Sequence, residues 1–214
     1  MRTQTLVAAA ALIAAGVATS MAQSNVYSLN IVGYVNYTQP ANTFRLGANP
    51  LKLADNDVAN VFTAGPSYPG LTIFKRNIAG TGYDSSTFDV DLSSWTDLLD
   101  VPPGTGLWIS TPAGTPFTNT YVGEVILAST NTIPAGYSLK GAILPQAGAI
   151  QTVLQYPANF GDTISTWNGV GYDDSTYDVD LGDWTPSEPS IAVAQGFWIN
   201  NGSAQKPWVR ILTP

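Results

Sequence analysis

The sequence predicts an all-β protein, a sandwich or small barrels built from two homologous β units of about 90 residues, with one short helix per unit. Three observations support this class: abundant turn-forming residues, an internal repeat, and short β-branched or aromatic runs. The 214 residues include 20 glycines and 15 prolines, which interrupt helices and favour turns. Apolar residues make up 44% of the chain, which is enough for a packed core.

The internal repeat is clearest in two 14-residue tracts, GYDSSTFDVDLSSW beginning at Gly82 and GYDDSTYDVDLGDW beginning at Gly171. Ten of the 14 positions are identical, and the tracts lie 89 residues apart. Three more pairs of blocks match: PANTFRLGANPL with PAGYSLKGAILP, GLWIS with GFWIN, and IVGYV with YVGEV. This period is too long for a solenoid repeat, so we predict a first β unit at 23–120 and a second at 121–214.

Alternation with period two predicts a half-buried strand within each tract. In the first tract Phe88, Val90 and Leu92 alternate with polar residues, and the second tract repeats the pattern. The dipeptide Asn168-Gly169 favours a tight hairpin turn. Further strands are predicted at the short runs TIF, TYVGEVIL, GYSLKGAIL, GLWIS, GFWIN and WVRIL.

Helical periodicity is scarce, and it supports two short helices at matching places in the two units. The segment DNDVANVF at 55–62 has Asp55 or Asn56 in position to cap a helix N-terminus. The segment GAIQTVLQ at 148–155 is the matching candidate in the second unit. The sequence therefore predicts one short helix per unit.

The first 22 residues are predicted to be a secretory signal peptide that is removed after Ala22. Arg2 precedes an alanine-rich apolar run, and Ser20 and Ala22 occupy the two small positions that signal peptidase reads. The run is too short to span a bilayer, which needs about 20 residues, and no later run is long enough. We therefore expect a secreted, periplasmic or cell-surface bacterial protein with no transmembrane segment after cleavage.

The charge balance and the missing residue types argue against several classes of function. Eight Lys and Arg residues stand against fifteen Asp and Glu, so the formal net charge is −7, and it becomes −8 once Arg2 is removed. An acidic chain repels the phosphate backbone, so we expect no nucleic-acid partner. Without Cys there are no disulfides or thiolate sites, and without His there are no His-based triads and few zinc, copper or haem sites.

The order of the motifs IPAGYSLKG, TWNGVGYD and GFWI resembles the repeat of uncharacterised secreted bacterial β-repeat proteins. The start of the predicted mature chain, VYSLNIVGYVN at 26–36, is similar to the start of many such proteins. The resemblance covers nearly all of 26–214. It implies a fold and an exported location, and it implies no reaction, because the group has no established activity or site residues.

Carboxylates are concentrated in the repeated tracts and form the first candidate site. Several nearby carboxylates suit Ca²⁺, a hard ion that takes about six to eight oxygen ligands. The alternative, which the period-two pattern favours, is a solvated strand face whose charges prevent edge-to-edge association. No other cofactor is expected. The candidate calcium ligands are Asp84, Asp89 and Asp91 in the first unit and Asp173, Asp178 and Asp180 in the second.

Aromatic residues in and near the same tracts form the second candidate site. Exposed Trp and Tyr rings beside polar groups bind sugars, because the apolar sugar face stacks on the ring and the hydroxyls bond to the polar groups. The alternative is core packing, since large aromatic residues of a small β unit are mostly buried. The candidate ligand-binding residues are Tyr83, Trp95 and Trp108 in the first unit and Tyr172, Trp184 and Trp198 in the second.

The sequence favours an exported, non-catalytic structural or surface-interaction protein, with self-association as one way of assembling. The alternative is a carbohydrate-binding module of the cell envelope or extracellular matrix, with polysaccharide or other envelope and matrix proteins as partners. A further alternative is a hydrolase that uses Asp, because paired carboxylates hydrolyse glycosides without His or Cys. The chain has two glutamates, Glu124 and Glu188, and no glycine-rich phosphate loop before a helix, so we expect no enzyme and no catalytic residues.

Overall fold

The structure is a computed structural model that describes residues 31–77, 79–178 and 180–212. Residues from Ile31 onward form one compact unit. The predicted signal peptide at 1–22 lies outside the described residues. In the described part of the chain, sixteen strands accompany a single four-residue α-helix, which confirms the predicted all-β class.

The first half of the described chain, which we define as residues 31–124, contains seven strands. Helix α1 (Val58–Val61) follows β2, and a 3₁₀ turn at Gly65–Ser67 follows the helix. The strands are β1 (Val32–Gln39), β2 (Phe44–Ala48), β3 (Thr72–Arg76), β4 (Tyr83–Asp89), β5 (Ser94–Trp95), β6 (Gly106–Ser110) and β7 (Phe117–Glu124).

The second half, which we define as residues 128–212, contains nine strands, two of them (β10 and β14) paired only with each other. The strands are β8 (Ala128–Ile133), β9 (Gly136–Gly141), β10 (Gly148–Ala149), β11 (Thr163–Trp167), β12 (Tyr172–Asp178), β13 (Asp183–Thr185), β14 (Ser190–Ile191), β15 (Gly196–Asn201) and β16 (Lys206–Ile211).

Each half builds one five-stranded antiparallel sheet, and the strand order is the same in both. The order is β2-β6-β3-β4-β5 in the first half and β9-β15-β11-β12-β13 in the second. The registers also agree, because Trp108 on β6 lies opposite Phe74 on β3, as Trp198 on β15 lies opposite Ser165 on β11. The two 14-residue tracts therefore occupy corresponding places, β4 with β5 and β12 with β13.

A two-stranded antiparallel ribbon joins the first and last strands of each half. β1 pairs with β7 in the first half, and β8 pairs with β16 in the second. The matched blocks IVGYV and YVGEV lie in β1 and β7, where they are partners in one ribbon with Tyr34 opposite Val122. They are therefore not equivalent strands of two units, and β7 crosses the predicted boundary between residues 120 and 121.

Each half has its own buried core, and alternate residues of each sheet face it. Ile73 and Ile109 belong to the first core, whereas Trp108, next to Ile109 in the strand, lies on the opposite face of the sheet. Ile164 and Ile199 take the corresponding places in the second core. The outer faces of the two sheets do not belong to either core, and their side chains are therefore available for a surface site.

The two sheets contact each other through β2 and β6 of the first half and β9 and β15 of the second. Two backbone hydrogen bonds link them. Ala48 N–H donates to the Ala194 carbonyl at 2.8 Å, and Gly141 N–H donates to the Gly104 carbonyl at 3.1 Å. Because Ala48 and Gly141 end the corresponding strands β2 and β9, an approximate two-fold symmetry relates the two bonds.

The predicted second helix at 148–155 is wrong. Gly148–Ala149 form strand β10, and an irregular turn follows it. Tyr156 N–H donates to the Ile150 carbonyl at 2.9 Å, a span beyond the four-residue spacing of an α-helix. The backbone closes into a turn after Ala149 and does not continue as a helix. A segment whose apolar residues have helical spacing therefore forms a compact loop.

Helix α1 lies within the predicted helix at 55–62 but is shorter. Its cap is Asp57, whose Oδ1 accepts from Ala59 N–H at 2.9 Å. Asn56 Oδ1 instead accepts from Leu53 N–H at 3.1 Å, so this side chain stabilises the turn before the helix. The predicted cap was therefore one or two residues too early.

The predicted alternation in the first tract ends at Asp89, the last residue of β4. Val90 and Leu92 are 54% and 70% exposed instead of buried. Asp89 Oδ1 accepts hydrogen bonds from the N–H groups of Asp91 at 2.8 Å and Leu92 at 3.1 Å, which folds the backbone into a turn. Asp89 and Asp91 therefore do not share a strand face, and the predicted solvated strand face is wrong at this place.

The second tract makes the same turn. Asp178 ends β12, and its Oδ1 accepts from Asp180 N–H at 2.9 Å and from Leu181 N–H at 3.4 Å. Val179 lies outside the described residues. Asp178 and Asp180 likewise do not share a strand face, and the repeated aspartates are accounted for by a turn that both halves need.

Candidate functional site: two adjoining aromatic clefts

The outer face of the first sheet carries an open cleft of about 550 Å³, which we call the first cleft. Phe44 and Phe74 stack with their ring centroids 6.0 Å apart and their planes inclined by 30°. Trp108 contacts Phe44 edge-on at 6.3 Å. The cleft therefore presents aromatic faces and edges to solvent. Its lining residues are Phe44, Phe74, Tyr83, Trp108 and Trp167.

Trp167 reaches the first cleft from the second half of the chain. Its indole N–H donates to the Phe44 carbonyl at 2.9 Å, which fixes the position of the ring. The ring lies 5.2 Å from that of Trp108, at an angle of 78°. The first cleft is thus completed by the last residue of β11, from the opposite half.

The outer face of the second sheet carries a second cleft of about 410 Å³. Arg76 of the first half reaches into it, and the guanidinium carbon lies 4.9 Å from the centre of the Trp198 ring. Arg76 Nη2 also donates to the Gly80 carbonyl at 2.9 Å, which holds the cation over the ring. The lining residues are Arg76, Tyr137, Ser165, Tyr172, Asp174 and Trp198.

The strand registers show that the two clefts are equivalent sites. Arg76 ends β3 opposite Tyr83, and Trp167 ends β11 opposite Tyr172. Arg76 and Trp167 therefore occupy equivalent positions, and each lines the cleft of the opposite half. Arg76 of the first half lines the second cleft, and Trp167 of the second half lines the first cleft. The other equivalent pairs are Phe44 with Tyr137, Phe74 with Ser165, Tyr83 with Tyr172, and Trp108 with Trp198.

The two clefts adjoin at Tyr172 of the second cleft. Its ring lies 5.2 Å from that of Trp167 and 6.4 Å from that of Trp108, and both tryptophans line the first cleft. The rings meet edge to face, at angles of 69° and 71°. The clefts thus form one continuous aromatic surface that crosses from one half of the chain to the other.

Polar groups are divided unequally between the clefts. Arg76, Asp174 and Ser165 line the second cleft, whereas none of the described residues that line the first cleft is charged. The Tyr172 hydroxyl is protonated at neutral pH, as in an ordinary tyrosine, and burial raises its pKa further, so it can donate a hydrogen bond. The second cleft therefore offers both donors and acceptors to a ligand.

Four of the six predicted aromatic residues line the clefts, and Trp95 and Trp184 do not. Trp184 is 4% exposed, and its indole N–H donates to Gln151 Oε1 at 2.8 Å beside the second core. Trp95 is half-buried, with its ring against Phe62 and Phe88 of the first half. Trp184 belongs to the second core, whereas Trp95 packs against the first core and also lines a separate surface depression.

Other cleft residues were missed by the reasoning from sequence. A usable signal existed on β3, where Phe74 and Arg76 alternate with Ile73 and therefore had to lie on the outer face. The contact of Arg76 with Trp198 had no such signal, because no local pattern connects strands of different halves. The missed residues are Phe44, Phe74, Arg76, Tyr137, Ser165, Trp167 and Asp174.

The predicted calcium ligands are dispersed. Within the described residues, no group of three or more Asp, Glu, His or Cys side chains lies close enough to hold a metal ion. Asp84 lies opposite Lys75 in the β3–β4 pair, and Asp173 Oδ1 accepts from Asn168 Nδ2 at 2.9 Å. Asp173 and the two turn-forming aspartates, Asp89 and Asp178, therefore have roles within the fold.

The carboxylate of Glu188, which lies near the second cleft, also stabilises the fold. Its Oε1 accepts from the N–H groups of Gln151 at 2.6 Å and Thr152 at 2.7 Å, so it caps the turn that replaces the predicted second helix. Glu188 lines a separate surface depression together with Asp173 and Asp174. Of these three carboxylates, Asp174 is the one that also lines the second cleft.

Comparisons of this chain with family models, with curated proteins and with solved structures find no significant match. Among the described residues, no helix has the length and apolar character needed to cross a membrane. The interpretation of the site therefore depends on its own geometry.

Proposed function

We propose that the protein is an exported, non-catalytic carbohydrate-binding protein whose ligand occupies the two adjoining clefts. The observation that carries the proposal is the pair of equivalent aromatic clefts on one continuous surface. Solvent-facing aromatic rings in a concave site are the part of a protein that stacks on the apolar face of a sugar ring. The export follows from the signal peptide that the sequence predicts.

The second cleft supplies the polar groups that a sugar requires. Asp174 can accept hydrogen bonds from ligand hydroxyls, and Arg76 and the Tyr172 hydroxyl can donate to them. The Trp198 ring lies beneath the Arg76 guanidinium, and together with Tyr137 and Tyr172 it supplies the apolar part of the cleft wall. An apolar wall with convergent polar groups favours a saccharide over a purely apolar ligand.

The surroundings of the carboxylates support binding rather than hydrolysis. Hydrolysis of a glycoside needs two carboxyl groups on opposite sides of the scissile bond. Glu188 accepts two backbone N–H groups, and Asp173 accepts the Asn168 amide, so both are occupied within the fold. This leaves Asp174 as the carboxylate of the second cleft, which suits hydrogen bonding to a ligand.

The adjoining clefts also support our proposal of carbohydrate binding over the purely structural role that the sequence favours. A structural protein needs no pair of equivalent solvent-facing clefts. Because Tyr172 contacts Trp108 and Trp167, a single short oligosaccharide can occupy both clefts at once. We therefore expect affinity to rise with chain length over the first few sugar units and then to level off.

The proposal is tested by affinity electrophoresis through gels that contain neutral and acidic polysaccharides, followed by calorimetry with oligosaccharides of increasing length. Trp108→Ala and Trp198→Ala should each weaken binding at least about fivefold, because truncating a central aromatic residue of a binding site costs more than about 1 kcal/mol. Phe160→Ala is the matched control, since Phe160 is exposed and lines neither cleft. If no polysaccharide retards the wild-type protein, the proposal fails.

A further inference from the structure

The two clefts differ at equivalent positions, and the differences all have the same direction. Phe74 and Trp167 of the first cleft are replaced by Ser165 and Arg76 in the second. A third replacement puts Tyr137, with a hydroxyl, at the position of Phe44. Two clefts with the same backbone have thus become one apolar site and one polar site.

The first cleft is less suited than the second to a sugar ring with free hydroxyls, because its lining residues are almost entirely apolar. A hydroxyl that moves from water into an apolar site without a partner costs about 1–3 kcal/mol. The Trp167 indole N–H, which could have bonded to a ligand, already donates to the Phe44 carbonyl. Phe44, Phe74 and Trp108 offer ring surface, which favours an apolar group of about the size of an aromatic ring.

The second cleft has the opposite character. The Arg76 guanidinium has five N–H donors, and the bond to the Gly80 carbonyl uses one of them. Asp174 is exposed, and Ser165 lies on the strand opposite it, so acceptor and donor groups face the same space. These groups can bond to neighbouring hydroxyls of one sugar ring.

We infer that the ligand is a saccharide that carries an aryl or acyl substituent, with its sugar ring in the second cleft and its apolar substituent in the first. The inference rests on the proposed carbohydrate-binding function and adds the class of ligand. Arg76 and Trp167, exchanged between the halves, are the specificity-determining residues. Continuity of the two clefts at Tyr172, which lies 5.2 Å from Trp167, allows one molecule to reach both.

The test uses matched pairs of methyl and phenyl glycosides of glucose, galactose and mannose, with dissociation constants measured by calorimetry on the full-length mature protein. We expect the phenyl glycoside of at least one sugar to bind at least tenfold more tightly than its methyl counterpart. Trp167→Arg and Phe74→Ser, which copy the second cleft, should each remove most of that preference. Arg76→Trp should instead weaken binding of the methyl glycoside and retain the phenyl preference.

Each outcome has a distinct meaning, provided that circular dichroism shows every variant to be folded. Equal affinity for methyl and phenyl glycosides overturns the inference and leaves carbohydrate binding standing. Binding of phenol as tight as that of the phenyl glycosides overturns the inference as well, because the sugar then contributes nothing. If neither type of glycoside binds and no polysaccharide is retained, the proposed function itself fails.

Discussion

Two buried positions carry an apolar pair in the first half of the chain and an ion pair in the second. Leu71 and Phe117 are buried in the first core, and the equivalent residues of the second half are Asp162 and Lys206. The backbone establishes the equivalence, because the Leu71 carbonyl accepts from Phe88 N–H as the Asp162 carbonyl accepts from Tyr177 N–H, both at 2.9 Å. Phe117 and Lys206 both begin the last strand of their half.

Hydrogen bonds enclose the ion pair of the second half. The Asp162 carboxylate accepts from the N–H groups of Asn159 at 2.8 Å and Gly202 at 3.2 Å, in addition to the Lys206 ammonium. It also accepts from the Tyr156 hydroxyl at 3.2 Å. Burial, reinforced by the Asp162 charge, raises the pKa of Tyr156, so this hydroxyl remains a donor.

The comparison teaches that the topology does not require a buried charge. Removing two charges from water is offset only when their geometry is good and further hydrogen bonds satisfy them. In the first half Phe117 simply packs edge-on against Tyr68, with ring centroids 4.9 Å apart. The same strands therefore accept two kinds of core, and we expect the two halves to respond differently to truncation.

Removing one partner of the ion pair has the largest expected effect. Lys206→Met leaves the Asp162 carboxylate buried without its cation, which should lower the free energy of unfolding by about 3–5 kcal/mol. Phe117→Met, at the equivalent position, changes only apolar packing and should cost less than about 1.5 kcal/mol. Equilibrium denaturation in urea measures both values, and equal costs would contradict the comparison.

Replacing both partners sharpens the same comparison. The double variant Asp162→Leu, Lys206→Phe copies the first half, and it should be more stable than Lys206→Met because no charge remains buried. The N–H groups of Asn159 and Gly202 lose an acceptor, so full wild-type stability is not expected. A double variant less stable than the single one would show that the second half depends on the ion pair itself.

The tryptophans that close the two repeated tracts should also differ. Trp184→Ala removes a buried ring and should cost about 3–5 kcal/mol of unfolding free energy. Trp95→Ala should cost less, because Trp95 is only half-buried. Thermal and urea denaturation of the two variants check the order, and the reverse order would show that the first core depends on Trp95 more than its burial indicates.

Two equivalent glycines test the contact between the sheets. A Cβ on Gly196 would lie 2.4 Å from the Gly47 carbonyl oxygen, and one on Gly106 would lie 2.6 Å from the Lys140 nitrogen. Because both clashes involve backbone, each Gly→Ala change should cost about 1–3 kcal/mol. Gly171→Ala is the control, since a Cβ on Gly171 would have no atom within 4 Å other than those of its two chain neighbours. Equal stability of all three variants would exclude tight packing at this contact.

The turn-forming aspartates should give smaller and matching effects. Asp89→Ala and Asp178→Ala each remove an acceptor of two backbone N–H groups, and we expect a cost of about 0.5–2 kcal/mol, as for a lost helix cap. Asp→Asn keeps the oxygen and should cost less. Urea denaturation distinguishes the four variants, and an Asn variant as damaging as its Ala counterpart would show that the charge matters more than the turn.

Addition of calcium should have the smallest effect. Because Asp89 and Asp178 are used in turns and Asp173 bonds to Asn168, we expect the melting temperature to be the same in calcium and in chelator. A bound ion at 100 times its dissociation constant would add about 2.7 kcal/mol to stability. A rise of that order in differential scanning calorimetry would establish a calcium site and would contradict the structural role.

Local sequence patterns were enough to predict the all-β class, α1 within 55–62, and four of the aromatic residues that line the clefts. These features depend on alternation, turn residues and breakers, which act over a few residues. The same patterns failed at Asp89 and Asp178, because an Asx turn and an exposed strand have the same spacing of polar residues. They failed again at 148–155, where residues with the apolar spacing typical of a helix form a compact loop.

Tertiary structure alone decided which residues meet in the clefts. The exchange of Arg76 and Trp167 between the halves depends on how two sheets pack, and the pairing of β1 with β7 joins segments at opposite ends of one half. A sequence pattern describes one strand at a time. It shows which side chains project from the outer face of that strand, but it does not show what those side chains contact. The duplication was visible in the sequence, whereas the divergence of its two clefts became visible only when equivalent positions were aligned by strand register.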